Sequence, residues 1–333
     1  MKARRLICKG TRQIEVEDFE LGDMPAGGML VKNDYTGISV GTELYNWMHG
    51  GNPGPNGWKA EFPRGTGYSS SGTVLAVGKD VTNYRAGDRV VGGSSHQSHG
   101  IYSAAHAYKV PDNVSQKAVG IFSMAGIAMH GIRVAKIELG EAVVVLGLGL
   151  VGQFAASLAK LAGAQPVIAI DLDPVRLEKA KARGADVCIN PNEVDDVPAE
   201  VRKHCVEDGA NVVMEATGKP AVYPMAVKLA CIAGRLVAVG SPRGTVEMNF
   251  LDEVHLREVS ILGAISPKTP KEDHIYFRFT KRREREMILR FMDEGRLTSE
   301  DLITHVAQPE ECLDIYNMLA DNPQGALGVV FEW

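Results

Sequence analysis

The sequence lacks the features that would link the protein to membranes or to nucleic acids. Its apolar residues never form an unbroken run as long as a membrane-spanning helix requires. Basic residues are not in excess, because 36 Lys and Arg stand against 41 Asp and Glu and give a formal net charge of −5. Proteins that bind phosphate backbones or anionic lipids normally carry a basic patch. We therefore expect no nucleic-acid or membrane partner, and we predict a small-molecule substrate instead.

The sequence also lacks the cysteine patterns of disulfide-stapled and zinc-ribbon proteins. Its five cysteines are odd in number, widely scattered and never spaced as a C-x-x-C pair. This usage is typical of buried free thiols in a reducing compartment. The first ten residues are basic but contain no apolar core of signal-peptide length. We therefore expect a cytoplasmic protein.

One stretch in the middle of the chain has a pattern with a clear physical meaning. The short apolar run at residues 142–146 predicts a strand buried on both faces, and the glycine pattern G-x-G-x-x-G follows at residues 147–152. A helical pattern comes next, and a second apolar strand at residues 166–170 ends at Asp171. This order of strand, glycine turn, helix, strand and acid predicts a dinucleotide-binding unit.

Each residue of the glycine turn has an expected task. Gly147 permits the tight turn, Gly149 lets the backbone approach a pyrophosphate, and Gly152 lets the helix lie close to the strand. The backbone N–H groups of Leu150 and Val151 would point at the phosphates, where the helix dipole also favours negative charge. We therefore predict that these five residues bind the cofactor.

The acid after the second strand predicts which cofactor is bound. Asp171 follows Gly152 by 19 positions, where a carboxylate accepts hydrogen bonds from the adenosine ribose hydroxyls. Because the same carboxylate would repel a 2′-phosphate, we predict NAD rather than NADP. Arg176 keeps the alternative open, since a nearby arginine sometimes accommodates that phosphate.

The remainder of the chain predicts an α/β protein of about two domains. Residues 1–120 are rich in glycine and short β-type runs, among them a predicted strand at 70–77, and have little helical periodicity, which indicates an open β-barrel. Residues 50–57 predict a long loop before the candidate pocket residue Trp58. Residues 117–136 predict one helix, and the alternation of strands and helices within residues 121–265 predicts a doubly wound parallel sheet of six strands. Residues 266–333 predict a charged helix at 281–293, a second helix at 309–320 and a last strand that returns to the barrel.

Several short motifs stand where one known family has them. Residues 63–74 read Pro-Arg-Gly-Thr-Gly-Tyr-Ser-Ser-Ser-Gly-Thr-Val, residues 215–218 read Glu-Ala-Thr-Gly, and residues 327–330 read Leu-Gly-Val-Val. With the barrel and dinucleotide patterns, these motifs resemble the medium-chain dehydrogenase/reductase superfamily over essentially the whole chain. The resemblance implies a GroES-like catalytic domain, a Rossmann domain and oxidoreductase activity. It also implies further cofactor contacts by Thr217, Gly240 and Ser241. Ser266 follows the predicted sixth strand and is a candidate contact of the nicotinamide carboxamide.

The zinc ligands of that family do not carry over. Residues 37–43 contain no cysteine and one extra residue, and Tyr68 and Ser69 stand where zinc-dependent members have histidine and glutamate. Hydroxyl groups are poor zinc ligands. Residues 91–110 also lack the four cysteines of the family's structural zinc lobe. We therefore predict no metal.

Two further observations bear on the metal. The histidines near residues 96–106 remain weak metal candidates, because no cysteine or partner at fixed spacing accompanies them. The stretches 38–44 and 147–153 most resemble a zinc-independent branch of the superfamily that includes bacteriochlorophyllide hydroxyethyl dehydrogenase. We use this second resemblance for fold and cofactor and not for substrate.

Without a metal, a side chain must move the proton at the substrate oxygen. Tyr68 is the first candidate, because it stands where zinc-dependent members have a zinc ligand. Its phenol, with an ordinary pKa near 10, suits a proton donor in the reduction direction. Thr42 and Tyr45 occupy positions that resemble the family's proton relay. His49 is the alternative acid or base.

These patterns together predict a zinc-independent, NAD-linked dehydrogenase that interconverts a secondary alcohol and a ketone. The polar loop at residues 94–102 favours a polyhydroxylated substrate such as a sugar, polyol or cyclitol. Two rivals stay open: an NADPH-dependent reductase of activated carbon–carbon double bonds, and a nucleotide-binding protein without catalysis. We also expect a homo-oligomer, a dimer or tetramer, joined through about residues 246–265.

Overall fold

The computed structural model describes residues 1–50, 61–275, 278–323 and 325–333. Most of the predicted loop at 50–57 and the candidate pocket residue Trp58 lie outside these ranges. The chain divides into two compact units, of which the first comprises Met1–Met124 with Arg285–Trp333 and the second comprises Ala125–Glu284. Within the described residues, no helix combines the length and the apolar character needed to cross a membrane.

The N-terminal part of the first unit is a β-rich region with two short helices. In chain order its elements are β1 (Lys2–Gly10), β2 (Gln13–Glu20), β3 (Gly28–Gly37), α1 (Val40–His49), β4 (Arg64–Gly65), β5 (Ser70–Val77), β6 (Arg89–Gly92), β7 (His99–Ser103), β8 (Tyr108–Lys109) and α2 (Gln116–Val119). The predicted strand at 70–77 is confirmed by β5. The strands β1 and β2 were not predicted, because charged residues interrupt their alternation on the exposed face.

Helix α1 corrects the prediction that this region has little helix. It places Glu43, Leu44 and Trp47 on its buried side, which is the spacing of one helical face. Gly41, Asn46 and the aromatic residues are poor helix formers, so its propensity is weak. Packing of Leu44 and Trp47 in a core with Tyr316 and Phe331 therefore accounts for the helix better than local preference does.

The second unit contains the predicted doubly wound sheet. Its elements are α3 (Phe122–Ala135, which starts in the first unit), β9 (Val143–Leu146), α4 (Leu150–Leu161), β10 (Val167–Ile170), α5 (Pro174–Ala182), β11 (Val187–Ile189), α6 (Val197–Arg202), β12 (Ala210–Glu215), α7 (Tyr223–Leu229), β13 (Ala230–Ala238) and β14 (Ser260–Gly263). The strands lie in the order β11-β10-β9-β12-β13-β14, and all neighbours are parallel. This is the order of two mononucleotide-binding halves, so the predicted α/β fold is confirmed.

The single helix predicted before β9 is two helices, α2 and α3, that meet near Gly120. The Gly120 carbonyl accepts a hydrogen bond from the Ser69 hydroxyl at 2.7 Å. A Cβ atom built on Gly37 would lie only 2.5 Å from the same carbonyl oxygen. The end of β3 and the residue before β5 therefore approach the chain at Gly120 closely, and the helix is interrupted there.

The C-terminal segment supplies the last elements, α8 (Lys281–Asp293), β15 (Ile303–Ala307), α9 (Cys312–Asp321) and β16 (Gly328–Glu332). Helix α8 confirms the charged helix predicted at 281–293. Strand β16 pairs antiparallel with β3, with Val330 opposite Gly37. The larger sheet of the first unit runs β15-β16-β3-β5-β6-β8 with β7 also paired to β3, and β2-β1-β4 forms a smaller sheet. The C-terminal strands β15 and β16 thus belong to the same sheet as β3, β5, β6 and β8, although about 190 residues of chain separate β8 from β15.

Candidate active site

The glycine turn of the second unit has three positions with different steric surroundings. Gly147 adopts a φ of 89°, which L side chains rarely tolerate. A Cβ atom on Gly152 would lie 1.9 Å from the Gly147 carbonyl oxygen, whereas one on Gly149 would meet no protein atom within 4 Å. Gly149 caps α4, whose first residues are Leu150 and Val151. Space is therefore left open above Gly149, where a pyrophosphate would approach, and is filled at the other two positions.

Asp171 is held at this turn by backbone donors. Its Oδ2 accepts from the Leu148 N–H at 2.6 Å, and its Oδ1 accepts from the Asp173 N–H at 2.9 Å. The residue is partly exposed, so lone pairs remain for a ligand. The Arg176 Nε atom lies 3.5 Å from Asp173 Oδ2. The carboxylate that would contact the ribose is thus fixed in direction before a ligand arrives.

The ends of β12 and β13 are tied together by a buried acid that the sequence prediction passed over. Glu215 is fully buried, and its Oε1 accepts from the Thr217 N–H at 2.7 Å, from the Thr217 hydroxyl and from the Gly218 N–H at 3.0 Å. A Cβ atom on Gly240 would lie 2.4 Å from the Gly218 nitrogen. Ser241 follows directly and is exposed. Thr217, Gly240 and Ser241 therefore lie together just beyond the carboxyl ends of β12 and β13.

Ser266 lies beyond β14 in a short 3₁₀ turn and is buried. Its carbonyl accepts from the Thr269 N–H at 3.0 Å and from the Thr269 hydroxyl at 2.8 Å. That hydroxyl also lies 3.0 Å from Nδ1 of His130. Ser266 and His130 are therefore both connected to the Thr269 side chain.

A second buried carboxylate, Glu43, lies at the centre of the first unit. Its Oε1 accepts from the Ser39 N–H at 2.7 Å. Its Oε2 accepts from the hydroxyls of Thr66 at 2.7 Å and Tyr316 at 2.8 Å, and lies 2.9 Å from Nε2 of His96. Four donors from four separate parts of the chain therefore converge on one carboxylate.

The charge of Glu43 is stabilised despite its burial. Burial alone would raise the pKa of the carboxyl, but the adjacent His96, its hydrogen bond, and the bonds from the Ser39 N–H and Thr66 together hold that pKa below its ordinary value. Burial raises the pKa of the Tyr316 phenol well above its ordinary value, and the Glu43 charge raises it further. Tyr316 therefore remains a neutral donor to the carboxylate.

His96 completes the network on its other side. It is fully buried, and its Nδ1 atom lies 2.7 Å from the Thr36 hydroxyl oxygen. The same oxygen accepts from the Trp333 indole N–H at 2.9 Å. His96 is thus a structural partner of Glu43, whereas the sequence had indicated it only as a weak metal candidate.

Tyr68, the first candidate for proton transfer, is next to this network. Its hydroxyl donates a short hydrogen bond to the Ser39 hydroxyl oxygen. Both partners are attached to segments that Glu43 holds, because Ser39 itself donates to Glu43 and Thr66 lies two positions before Tyr68. The sequence prediction did not include Ser39. Its position in residues 37–43, where zinc-dependent members have a cysteine ligand, was the one sequence feature that could have identified it as a site residue.

The other three catalytic candidates all lie on α1 but differ in position. Thr42 lines a pocket together with Tyr68. His49 is exposed, stacks on the Tyr45 ring with centroids 4.6 Å apart, and has its Nδ1 atom 3.2 Å from the Tyr45 carbonyl oxygen. Neither Tyr45 nor His49 lines this pocket. The structure therefore brings Thr42 and Tyr68 together and leaves the other two outside.

The pocket beside α1 is small and has both apolar and polar side chains in its lining. It encloses about 430 Å³, including space open to solvent, and is lined by Cys8, Thr42, Glu43, Asn46, Trp47, Phe62, Arg64, Gly65, Thr66, Gly67 and Tyr68. Two buried atoms of the lining residues, Trp47 Nε1 and Asn46 Oδ1, have no hydrogen-bond partner in the described part of the chain. A donor and an acceptor are therefore both left unsatisfied at this pocket.

The side chains at the place of the family's zinc ligands do not match what zinc prefers. The hydroxyl groups of Ser39 and Tyr68 are hydrogen-bonded to each other. The carboxylate oxygens of Glu43 already have four hydrogen-bond partners within the protein. Burial, and then the Glu43 charge, raise the pKa of the neighbouring Cys8 to about 12, which opposes the thiolate form that zinc binds. Among the described residues, no group of three or more His, Cys, Asp or Glu is arranged to hold a metal ion. We therefore derive no step through zinc.

Comparisons with known proteins agree with this fold. Residues 25–155 match the family model of the alcohol dehydrogenase GroES-like domain, and residues 151–279 match the model named zinc-binding dehydrogenase. D-guloside 3-dehydrogenase of Escherichia coli K12 is 31% identical over 286 residues, covering 82% of this chain and 81% of the relative. (R,R)-butanediol dehydrogenase of Bacillus subtilis is 27% identical over 337 residues, covering 91% of each.

Solved structures give the same result. The crystal structure of 2R,3R-butanediol dehydrogenase from Bacillus subtilis has a TM-score of 0.82 at 23% identity and covers 99% of both chains. An Escherichia coli oxidoreductase of unknown specificity has a TM-score of 0.86 at 22% identity and covers 100% of this chain and 99% of its own. At these identities the structures establish the fold, while the relative at 31% identity establishes the family. The chain therefore belongs to the zinc-type alcohol dehydrogenase family of the medium-chain dehydrogenase/reductase superfamily, and this is the superfamily that its motifs had indicated.

Proposed function

We propose that the protein is a zinc-independent, NAD-linked dehydrogenase that interconverts a secondary alcohol and a ketone on a polyhydroxylated substrate. The main support is the Tyr68–Ser39 hydroxyl pair, which stands where family members have zinc ligands and which a saturated carboxylate network holds in place. A fixed hydroxyl donor is the group that a carbonyl oxygen needs when no metal polarises it. The zinc-independent branch named above remains a resemblance carried by residues 38–44 and 147–153.

The cofactor part of the proposal is supported by the second unit. Gly147, Gly149 and Gly152 would bind the pyrophosphate side of a dinucleotide, and the oriented Asp171 carboxylate would accept from the ribose hydroxyls. A nicotinamide dinucleotide supplies or accepts a hydride when bound. Two structural neighbours are described as complexed with NADH and bound to NADP, so they leave the choice open. The Asp171 charge favours NAD here.

The substrate part rests on the pocket beside α1. Asn46, Thr66 and Tyr68 contribute an amide and two hydroxyl groups to its lining, which suit a substrate with several hydroxyl groups better than a simple alcohol. Thr42 supplies a further hydroxyl in the same pocket, and we retain it as a relay candidate. Relatives named for guloside, butanediol and sorbitol act on hydroxylated molecules, which agrees with this substrate class.

The first experiment is a set of NADH and NADPH titrations on purified protein whose metal content has been measured, followed by a screen of polyols and sugars read at the nicotinamide absorbance. We expect NADH preference, turnover without stoichiometric zinc, and loss of turnover in Tyr68→Phe with NADH binding retained. NADPH preference with reduction of enones would support the double-bond reductase instead. Tight NADH binding without turnover of any substrate would support the non-catalytic alternative.

We also propose that the protein forms a homo-oligomer through β14 and the segment before it. β14 has a described neighbour on one side only, which leaves a row of backbone donors and acceptors at the sheet edge. Large apolar side chains are exposed in the same region, at Phe250, Leu251, Leu256, Ile261 and Ile265. Light scattering should give a dimer or tetramer, and Ile261→Lys should shift it towards monomer.

A further inference from the structure

Ser39 has an unusual orientation for a serine at the start of a helix. It occupies the N-cap of α1, where a serine side chain normally accepts from an N–H group of the first turn. Its side chain makes no such bond. Instead, the Glu43 carboxylate takes the Ser39 N–H, and the Ser39 hydroxyl oxygen accepts from Tyr68. The hydroxyl is therefore turned away from helix capping and towards the proposed proton donor.

Ser115, at the start of α2, shows the usual arrangement within the same unit. Its hydroxyl oxygen accepts from the Ala118 N–H at 3.0 Å, and its proton is donated to Glu300 at 2.9 Å. The proton of Ser39, in contrast, has no acceptor among the described residues. Ser39 is 9% exposed and its hydrogen-bond partner Tyr68 lines the pocket, so its hydroxyl lies next to the place where a substrate oxygen would enter.

We propose that Ser39 is a catalytic residue and that it, rather than Tyr68, donates the proton to the substrate oxygen. This inference rests on the proposed function and adds that Ser39 donates directly to the substrate while Tyr68 reprotonates Ser39. A hydroxyl that accepts a hydrogen bond becomes a better donor, so the phenol of Tyr68 strengthens the serine as an acid. Glu43 is then a positioning residue, because it fixes the Ser39 backbone and, through Thr66, the segment that carries Tyr68.

The transfer balances in both directions. In reduction, the carbonyl carbon takes the hydride and its electron pair from the reduced dinucleotide, and the carbonyl oxygen takes the Ser39 proton. Ser39 takes the proton of Tyr68, and the half-buried phenolate takes a proton from water. The net change is one hydride and one proton added to the carbonyl. In oxidation each of these steps runs backwards, and the proton leaves through Tyr68 to water.

The test compares Ser39→Ala with Ser39→Thr, Tyr68→Phe and the double variant, using the substrate that the screen identifies. Ser39→Ala should lower kcat by about 10²–10³-fold with little change in KM, since the lost donor acts on the transition state. Ser39→Thr keeps the hydroxyl and should recover most of that loss. The double variant should be no slower than the worse single variant, because two groups in series act as a unit.

Ser115→Ala is the matched control, since it also removes a serine from a helix N-cap. It should lower the thermal midpoint at least as much as Ser39→Ala does, while leaving kcat unchanged. Wild-type kcat in Ser39→Ala, or losses that multiply in the double variant, would overturn the relay and leave the proposed function standing. A wild-type protein that turns over no alcohol with either dinucleotide would overturn both.

Discussion

The two units each contain a carboxylate held by hydrogen bonds, and the two carboxylates are satisfied in opposite ways. Asp171 accepts from two backbone N–H groups, Leu148 and Asp173, and is partly exposed. Glu43 accepts from one backbone N–H and three side chains and is buried. A carboxylate fixed by backbone donors at the surface keeps lone pairs for a ligand. A carboxylate saturated by protein donors in the interior serves to organise the site around it.

The origin of the donors differs as well. The partners of Asp171 lie within 23 positions of it along the chain. The farthest partner of Glu43, Tyr316, lies 273 positions away and arrives with the C-terminal helix α9. Asp171 is therefore positioned by one continuous stretch of the chain, whereas the position of Glu43 depends on the return of the tail.

Glu43→Gln should be the most damaging substitution. It keeps the side-chain shape but replaces the carboxylate that four buried donors share with an amide that cannot accept from all of them. Each buried donor left without its acceptor costs about 1–3 kcal/mol of unfolding free energy. Urea unfolding of both variants measures it. The control is Glu17→Gln, which weakens a partly exposed pair with Arg5 and Lys9 and should cost no more than about 1 kcal/mol. Equal losses would mean that Glu43 is no more important than a surface acid.

The pH dependence of the same variant has a definite sign. Because the pKa of Glu43 is lowered in the folded protein, its contribution is present above the ordinary carboxyl pKa and is lost as the pH falls through the folded value. Wild type should therefore lose stability in acid more steeply than Glu43→Gln. Parallel curves in acid would contradict the ionised state assigned to Glu43.

The glycine turn offers a pair of substitutions that separate binding from folding. Gly149→Ala adds a methyl group that meets no protein atom, so the protein should unfold normally while NADH binding weakens on the order of 100-fold. Gly152→Ala places its Cβ against the Gly147 carbonyl and should lower stability itself. Calorimetry and NADH fluorescence measure both properties. Unchanged NADH affinity in Gly149→Ala would remove the main support for the nucleotide site.

The same contrast explains which parts of the molecule could be predicted from the sequence. The six-stranded sheet, the turn and the position of Asp171 follow from short apolar runs and glycine spacing, which are local properties. Helix α1 was missed because its support comes from Tyr316 and Phe331, far away in the chain. Strands β1 and β2 were missed because charged residues occupy their exposed face. Helices α2 and α3 were predicted as one helix because the interruption at Gly120 depends on a hydrogen bond from the distant Ser69.

The catalytic candidates show the same limit at the level of single side chains. Tyr68 and Thr42 were selected as candidates because they stand at positions that a family pattern marks. Ser39 and Glu43 were present in the motifs, but their roles depend on hydrogen bonds that no spacing reveals. His96 was noted as a metal candidate, although its partner is a carboxylate 53 positions earlier in the chain. The residue types indicated which chemistry was possible, but the hydrogen-bond partners of these side chains could be identified only from the fold.

Asp171→Asn should have an intermediate effect and should act on cofactor choice. The amide retains an acceptor for the Leu148 N–H but removes the charge that repels a 2′-phosphate. NADH affinity should fall about tenfold while NADPH affinity rises or stays constant, so the preference narrows. Parallel titrations with both cofactors measure it, and Asp173→Asn, two positions away, is the matched control. A preference that is unchanged in Asp171→Asn would place the discrimination elsewhere, with Arg176 as the next residue to replace.

Tyr35→Phe should have the smallest effect, and it tests the return of the tail alone. The Tyr35 hydroxyl donates to Glu332 of β16 at 2.7 Å, and that bond, followed by burial, raises the pKa of the phenol from 10.0 to about 12. Removing one such bond costs about 1 kcal/mol. Because the folded state favours the neutral phenol, the difference between wild type and variant should be constant below pH 10 and disappear as the pH rises through about 12. A difference that persists above this range would mean that packing of β16, and not this hydrogen bond, attaches the tail at Tyr35.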